Sequence, residues 1–253
     1  MAGQNRSAAV MQQRRADDAE RRSGRDVAPK ELEYFPTPPW ATRALCEFLG
    51  GQLGDLTRLS CWEPCCGEGH MVRPLREYFG EVRASDVQPY DGLHGLPHVF
   101  DFTQAKMRRD LDPVDLAIFN PPFKLAVEFV EAAAKVTRLG FAMLVRSAFL
   151  EGEGRHEALF DRCPPDFVLQ FCERVVMLEG RLIAPGKVDP FAEKPGTKAS
   201  TATAYVWLVW LQGRGGDTRL RWIAPCRRQL ELPSDYPDYS AELQAPPAEG
   251  LFA

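Results

Sequence analysis

From about residue 30 onward the chain alternates short apolar runs with segments of helical spacing, which predicts a parallel sheet with helices crossing between its strands. The runs at 59–63 (LSCWE), 81–86 (EVRASD), 98–102 (HVFDF) and 114–120 (VDLAIFN) read as the first four strands. Between the first two, HMVRPLREYFG has helical spacing and ends at Gly80. After the fourth, residues 125–140 place Val127, Val130, Ala134 and Leu139 near one helical face, with Gly140 as the stop. A fifth strand, FAMLVRSAF, follows at once. Then come a short helix around 155–162, a strand DFVLQFC, a polar excursion over about 179–200, and an apolar run at 202–211. No internal repeat is visible. The excursion is longer than compact domains usually carry, so it is either a hairpin tip or a loop that grips a substrate.

Composition narrows this little. The 253 residues are 45% hydrophobic and 26% charged, enough to bury a full core. The formal net charge of −4 gives no bulk attraction to polyanions, so a nucleic-acid surface has to be a local patch. Residues 1–30 carry net +3 and few large apolar residues, which predicts a disordered or loosely helical basic arm. A single domain is expected over 31–230, followed by a Pro-rich tail at 231–253. No signal-like core and no long apolar run occurs, which points to a cytoplasmic protein without a membrane span. Seven cysteines, an odd number, fit a reducing compartment. Cys61, Cys65 and Cys66 lie close together, but no second pair at zinc spacing follows, so no metal site is expected. The four histidines show no relay spacing, and no Ser/His/Asp pattern competes for nucleophilic chemistry.

The chemistry-bearing positions fall at strand ends. EPCCGEG, residues 63–69, puts glycines at a strand-to-helix turn, where backbone can approach a ligand closely. Asp86 ends the second strand where nucleotide-binding α/β folds place a carboxylate for ribose hydroxyls. Asp101 with Phe102 ends the third, and Asn120 the fourth. In NPPF, residues 120–123, the prolines cannot donate ladder hydrogen bonds, so the segment is built for something other than sheet pairing. Two fixed acceptors, the Asn120 side-chain oxygen and the Pro121 carbonyl, would suit a planar exocyclic amine, with Phe123 stacking on its ring. A plain strand-ending turn, with Phe123 in the core, is the other reading.

Together these segments resemble the class I S-adenosylmethionine-dependent methyltransferases, and specifically the DNA methyltransferases that make N6-methyladenine. NPPF is similar to their Asn/Asp-Pro-Pro-aromatic motif and EPCCGEG to their Asp/Glu-Pro-x-x-Gly-x-Gly motif. YFPTPPWATRAL, residues 34–45, is similar to the segment that closes over the methionine end of the donor. The resemblance runs from 34 to about 212 and implies a Rossmann-like, seven-stranded, mostly parallel sheet with one antiparallel strand and helices on both faces. It implies S-adenosylmethionine as cofactor, with Phe35, Thr37 and Pro38, the turn residues Glu63, Pro64, Cys66, Gly67 and Gly69, then Asp86 for the ribose and Asp101 with Phe102 for the adenine. Asn120, Pro121, Pro122 and Phe123 would form the catalytic segment. Tyr205 or Trp207 would line the base pocket, although either suits the core equally. Arg146 and Lys187, with Lys194, Lys198 and the cluster Arg219, Arg221, Arg227 and Arg228, are candidate phosphate contacts. The implied substrate is nucleic acid, with DNA favoured. The same motif also serves RNA guanine and protein glutamine amide methylation, and a catalytically inactive cofactor-binding module is the alternative of another class. No separate target-recognition domain fits, which leaves base-sequence choice to short loops.

Overall fold

A computed structural model describes residues 33–89, 100–213 and 216–240. The arm expected at 1–30 therefore lies outside the described residues, as do 241–253 of the expected tail. Helix α1, Pro39–Leu53, opens on a proline at its first position, where the missing N–H leaves no bond unmade, and stops at Gly54 with φ 83°. Strand β1 (Ser60–Glu63) leads through a glycine turn into α2 (Val72–Tyr78) and β2 (Glu81–Ala84). Strand β3 (Val114–Phe119) is followed by α3 (Ala126–Val136) and β4 (Thr137–Arg146), then by β5 (Phe167–Phe171), β6 (Tyr205–Leu211) and β7 (Arg219–Ile223).

These strands form one seven-stranded sheet in the order β2-β1-β3-β4-β6-β5-β7. Only β6 runs against its neighbours β4 and β5, while β5 and β7 are parallel. This is the mostly parallel sheet with one reversed strand that was expected. Burial alternates along β6: Tyr205, Trp207, Val209 and Leu211 join one core with α1, whereas Val206, Leu208 and Trp210 join the other with α3. Both faces of the sheet are thus covered by helices, and β6 is buried along its whole length.

Four local expectations need correction. No strand occupies the described part of HVFDF. Phe100 and Asp101 are irregular and lead into a turn at Phe102–Thr103, tied to the sheet side by the Phe100 amide donating to the Asp86 carbonyl at 2.8 Å; residues 98 and 99 lie outside the described set. The seventh strand is instead β7, whose alternating Arg219, Leu220, Arg221 and Trp222 had read only as a cationic cluster. Gly140 does not stop the helix. Helix α3 ends at Val136, where Thr137 turns extended and its hydroxyl donates to the Ala133 carbonyl at 2.8 Å. Gly140 lies inside β4 at φ 149°, and a Cβ there would stand 2.1 Å from the Trp210 carbonyl oxygen. The helix is also rotated from the expected phase, burying Ala126, Phe129, Val130, Ala133 and Val136 and leaving Ala134 exposed.

The segment after β7 is packed down as far as the structure describes it. Arg43, buried on α1, uses all five N–H groups on the Glu77 carboxylate, the Asp235 carboxylate and the Leu230 carbonyl. No described helix is long and apolar enough to cross a membrane.

Candidate active site at the carboxyl edge of the sheet

Strands β2, β1, β3 and β4 are mutually parallel, so their carboxyl ends open on one edge. The chain moves outward from β1 to β2, then crosses back to β3 and outward again to β4. The two outward paths diverge between β1 and β3, which is where open α/β sheets leave a crevice. The turns after these two strands are EPCCGEG and NPPF, and they touch: the Cys65 thiol donates to the Asn120 main-chain carbonyl at 3.3 Å.

In the first turn, Gly67 has φ 50° and Gly69 φ 81°, conformations that side chains with a Cβ rarely adopt. The Asp86 carboxylate receives the Gly67 amide at 2.8 Å and the Gln88 amide at 3.0 Å, which fixes the turn against the end of β2. Glu63 is 2% exposed, and its Oε2 has no hydrogen-bond partner among the described residues. Burial, with the nearby Asp86 charge, pushes its carboxyl well above the usual carboxylate range. An unsatisfied buried carboxyl is costly in the free protein, and a cationic ligand group would relieve it. In the same turn, His70 is buried with an unpartnered Nδ1 and its Nε2 lies 3.4 Å from Glu68; burial followed by the Arg73 charge lowers its pKa to about 4. Burial also pushes the Cys65 and Cys66 thiols up, which leaves them as poor nucleophiles. Among the described residues no group of three His, Cys, Asp or Glu converges for a metal.

The second turn is locked from across the chain. Asn120 Nδ2 donates to the Phe35 carbonyl at 2.9 Å and to Thr37 Oγ1 at 3.0 Å. A main-chain carbonyl can only accept, so this contact fixes which end of the amide faces it. The Asn120 Oδ1 and the Pro121 carbonyl are then left without a donor among the described residues. Thr37, 2% exposed, is held on the short extended run Phe35–Pro38 that leads into α1. Met177 Sδ lies 3.9 Å from Asn120 Nδ2. Nothing in the sequence marked Met177, because it reaches the site through the connection between β5 and β6, both of whose ends face this edge. That connection is ordered: Arg181 makes a bidentate ion pair with the buried Asp189, and Val188 bridges Lys198.

The remaining positions separate into those at the edge and those in the core. Phe35 and Phe123 lie with ring centroids 6.1 Å apart, half-buried, and the Arg146 guanidinium stands over both. Tyr205 pairs with Arg146 across β4 and β6 and is 2% exposed; burial raises its hydroxyl pKa, while the Arg146 guanidinium within reach lowers it. Trp207 is fully buried and donates its indole N–H to the Ala41 carbonyl. Phe102 is 1% exposed among Trp62, Phe119 and Phe129, so its ring belongs to the core. Asp101 receives the Thr103 amide and hydroxyl, closing its own turn. Lys187, on the β5–β6 connection, lines an open groove of about 590 Å³ with Ile183, Tyr236 and Tyr239.

No protein-family model matches the chain, and no curated protein matches it. Among solved structures it is similar to the methyltransferase subunit of a type I restriction-modification system from Streptococcus thermophilus, at 10% identity and a TM-score of 0.51, over 74% of this chain and 46% of that one. A protein from Vibrio vulnificus described as a modification subunit of a type I restriction enzyme gives 17% identity and a TM-score of 0.47, over 95% of this chain and 57% of that one. A Pyrococcus horikoshii protein described as an RNA methyltransferase gives 16% and 0.48, over 71% and 88%. The chain thus spans about half the length of the two restriction-system subunits. At 10% identity the first of these likenesses shows the fold alone, a Rossmann-like, mostly parallel sheet with one reversed strand.

Proposed function

We propose that the protein is an S-adenosylmethionine-dependent methyltransferase that modifies the exocyclic N6 amine of adenine in DNA. The observation that carries the reading is the Asn120 amide. Its nitrogen is held by Phe35 and Thr37, so its oxygen is committed as an acceptor beside the Pro121 carbonyl. An aromatic amine is a poor nucleophile because its lone pair is delocalised into the ring. Two acceptors on its hydrogens favour the pyramidal nitrogen of the transition state, and the prolines hold the main chain so that no reorganisation is needed. Phe123, half-buried at the mouth, provides the stacking surface for the base.

The residues of the first turn fit the cofactor by their own chemistry. The Glu63 carboxyl, with its unpartnered Oε2, suits the ammonium of its methionine end, the Asp86 carboxylate just past β2 lies where ribose hydroxyls would reach, and the Gly67 and Gly69 backbone permits close approach. When bound, the cofactor supplies an electrophilic methyl group. Phe35, Thr37 and Pro38 connect the two halves, since the run that would border the donor also orients the acceptor Asn120. No strong base is called for, because the amine nitrogen becomes acidic as it is methylated. A base within a duplex has to be rotated out to reach this edge. The β5–β6 connection, with Lys187, Lys194 and Lys198, is the surface proposed to hold the flanking phosphates.

The test is incubation with methyl-labelled S-adenosylmethionine and a mixture of DNA and RNA, followed by nucleoside analysis. Label in N6-methyldeoxyadenosine supports the reading; label in a guanine nucleoside, in RNA or in the protein itself replaces it. Asn120→Ala should lower kcat by about 100-fold, as loss of a preorganised polar contact does, while cofactor affinity stays within a few-fold. Unchanged turnover would rule out the role given to Asn120.

A further inference from the structure

The resemblance would place an aromatic from β6 against the target base, yet Trp207 is in the core and Tyr205 is covered. The group that stands on Phe123 is Arg146. Its guanidinium carbon is 4.3 Å from the Phe123 ring centroid and 5.4 Å from that of Phe35, and Tyr205 lies within its reach. Arg146 is exposed at the carboxyl end of β4 and makes no ion pair among the described residues. A guanidinium without an ion pair, resting on the ring assigned to stack the base, occupies the position the base needs.

We propose that Arg146 is the second face of the target-base pocket, resting on Phe123 in the free protein and closing over the base after entry. This rests on the methyltransferase reading above. A ring stacked on both sides needs about 7 Å between its flanking groups, twice the roughly 3.5 Å carbon contact distance. The guanidinium therefore has to swing outward by about 3 Å, giving up its approach to Tyr205, which an exposed arginine held in no described ion pair can do. Base stacking on an aromatic ring outweighs an exposed cation–π contact, so the base displaces the guanidinium. The planar guanidinium then regains a π surface on the outer face of the base. Arg146 acts here as a positioning residue and bears no proton in the chemistry.

The experiment uses the oligonucleotide that the wild-type protein methylates, a copy with 2-aminopurine at the modified position, and the variants Arg146→Ala and Arg146→Lys. Arg146→Ala should lower kcat/KM about tenfold, mainly through KM, with a matching loss of 2-aminopurine fluorescence on binding. Cofactor affinity and the salt dependence of oligonucleotide binding should stay as in wild type. Arg146→Lys should recover only part, because an ammonium cannot stack as a plane. A kcat/KM within twofold of wild type, an equal loss of cofactor affinity, or a salt slope reduced by about one would overturn the proposal, the last by making Arg146 a phosphate contact. A wild-type protein that methylates no nucleic acid overturns this proposal together with the reading it rests on, which separates the two failures.

Discussion

Replacing Glu63 by Gln separates what the fold wants from what the site wants. The side chain is 2% exposed and its Oε2 has no partner among the described residues. Desolvation, with Asp86 second, raises its carboxyl well above the 4.5 of a free glutamate. In the unfolded chain the group ionises near its ordinary value, while in the folded free protein burial makes it hold its proton to higher pH. The unfolded state therefore gains stability relative to the native state as pH rises above about 4.5. The native state loses about 1.4 kcal/mol for each pH unit from there up to the folded pKa. Below the unfolded value the penalty vanishes, because both states are protonated. Glutamine has the same shape and no charge to titrate, so the variant should be the more stable protein at neutral pH. For a chain of this size each kcal/mol moves Tm by about 2–4 °C.

The assay is thermal unfolding of both proteins at pH 5, 6, 7 and 8, with and without S-adenosylmethionine. The excess in Tm of Glu63→Gln should be small at pH 5 and grow with pH in the free proteins. With cofactor present it should shrink or reverse, since a carboxylate beside the ligand ammonium is what the wild type gains on binding; cofactor affinity should fall about tenfold or more, as for one charge-assisted hydrogen bond. Other titrating groups are common to both proteins and cancel in the difference. A Tm difference that does not vary with pH, or a glutamine variant less stable than wild type at pH 8 without cofactor, would refute the reasoning.

Two further outcomes test the frame around the site. Gly140→Ala should destabilise the protein by about 1–3 kcal/mol as an overpacked contact, because its Cβ would stand 2.1 Å from the Trp210 carbonyl oxygen at a φ of 149°; chemical denaturation measures it, and a loss below 0.5 kcal/mol, the ordinary size of a surface substitution, would contradict the close approach. Asp235→Ala should cost about 3 kcal/mol, the lower end for breaking a buried ion pair, since Arg43 keeps Glu77; the same measurement checks it, and equal stability would mean that the segment after β7 does not hold α1.

How much of this was readable beforehand differs by element, for physical reasons. Strands β1, β3, β4 and β6 were legible because buried parallel and central strands are largely apolar runs; β1 ends before Pro64 and β3 before Asn120, whereas β4 starts at Thr137, ahead of the Gly140 expected to precede it. Helix α1 was hidden because its first residues, Pro39 and Trp40, belong to a stretch read for its motif, although Pro39 at the start and Gly54 past the end are helix signals. Edge strand β7 was hidden because an edge strand is exposed on both faces, so Arg219 and Arg221 read as a cluster of charge. The phase of α3 was missed by taking Val127 and Ala134 over Phe129 and Ala133. Aromatic size, with Phe129 meeting Phe102 and Phe119, decided which stripe faced inward.

At the site the sequence supplied the residues but not their pairing. Spacing could place Asn120 after a buried strand, and it could place Thr37 in a proline-bracketed run 83 residues earlier. It had no means of showing that one amide nitrogen would meet both Phe35 and Thr37, because that contact depends on α1 packing across the sheet beside β3 and β6. The same packing accounts for the fate of the aromatic candidates. Once the Trp207 indole is tied to α1 through Ala41, and Phe102 fills the opposite core with Trp62 and Phe129, neither ring is free for a ligand. The only described aromatic rings beneath the Arg146 guanidinium are Phe35 and Phe123, one from each of the two segments that Asn120 joins. The acceptor geometry and the stacking surface therefore share a single constraint: any substitution that loosens the Phe35–Thr37 run from Asn120 disturbs both at once.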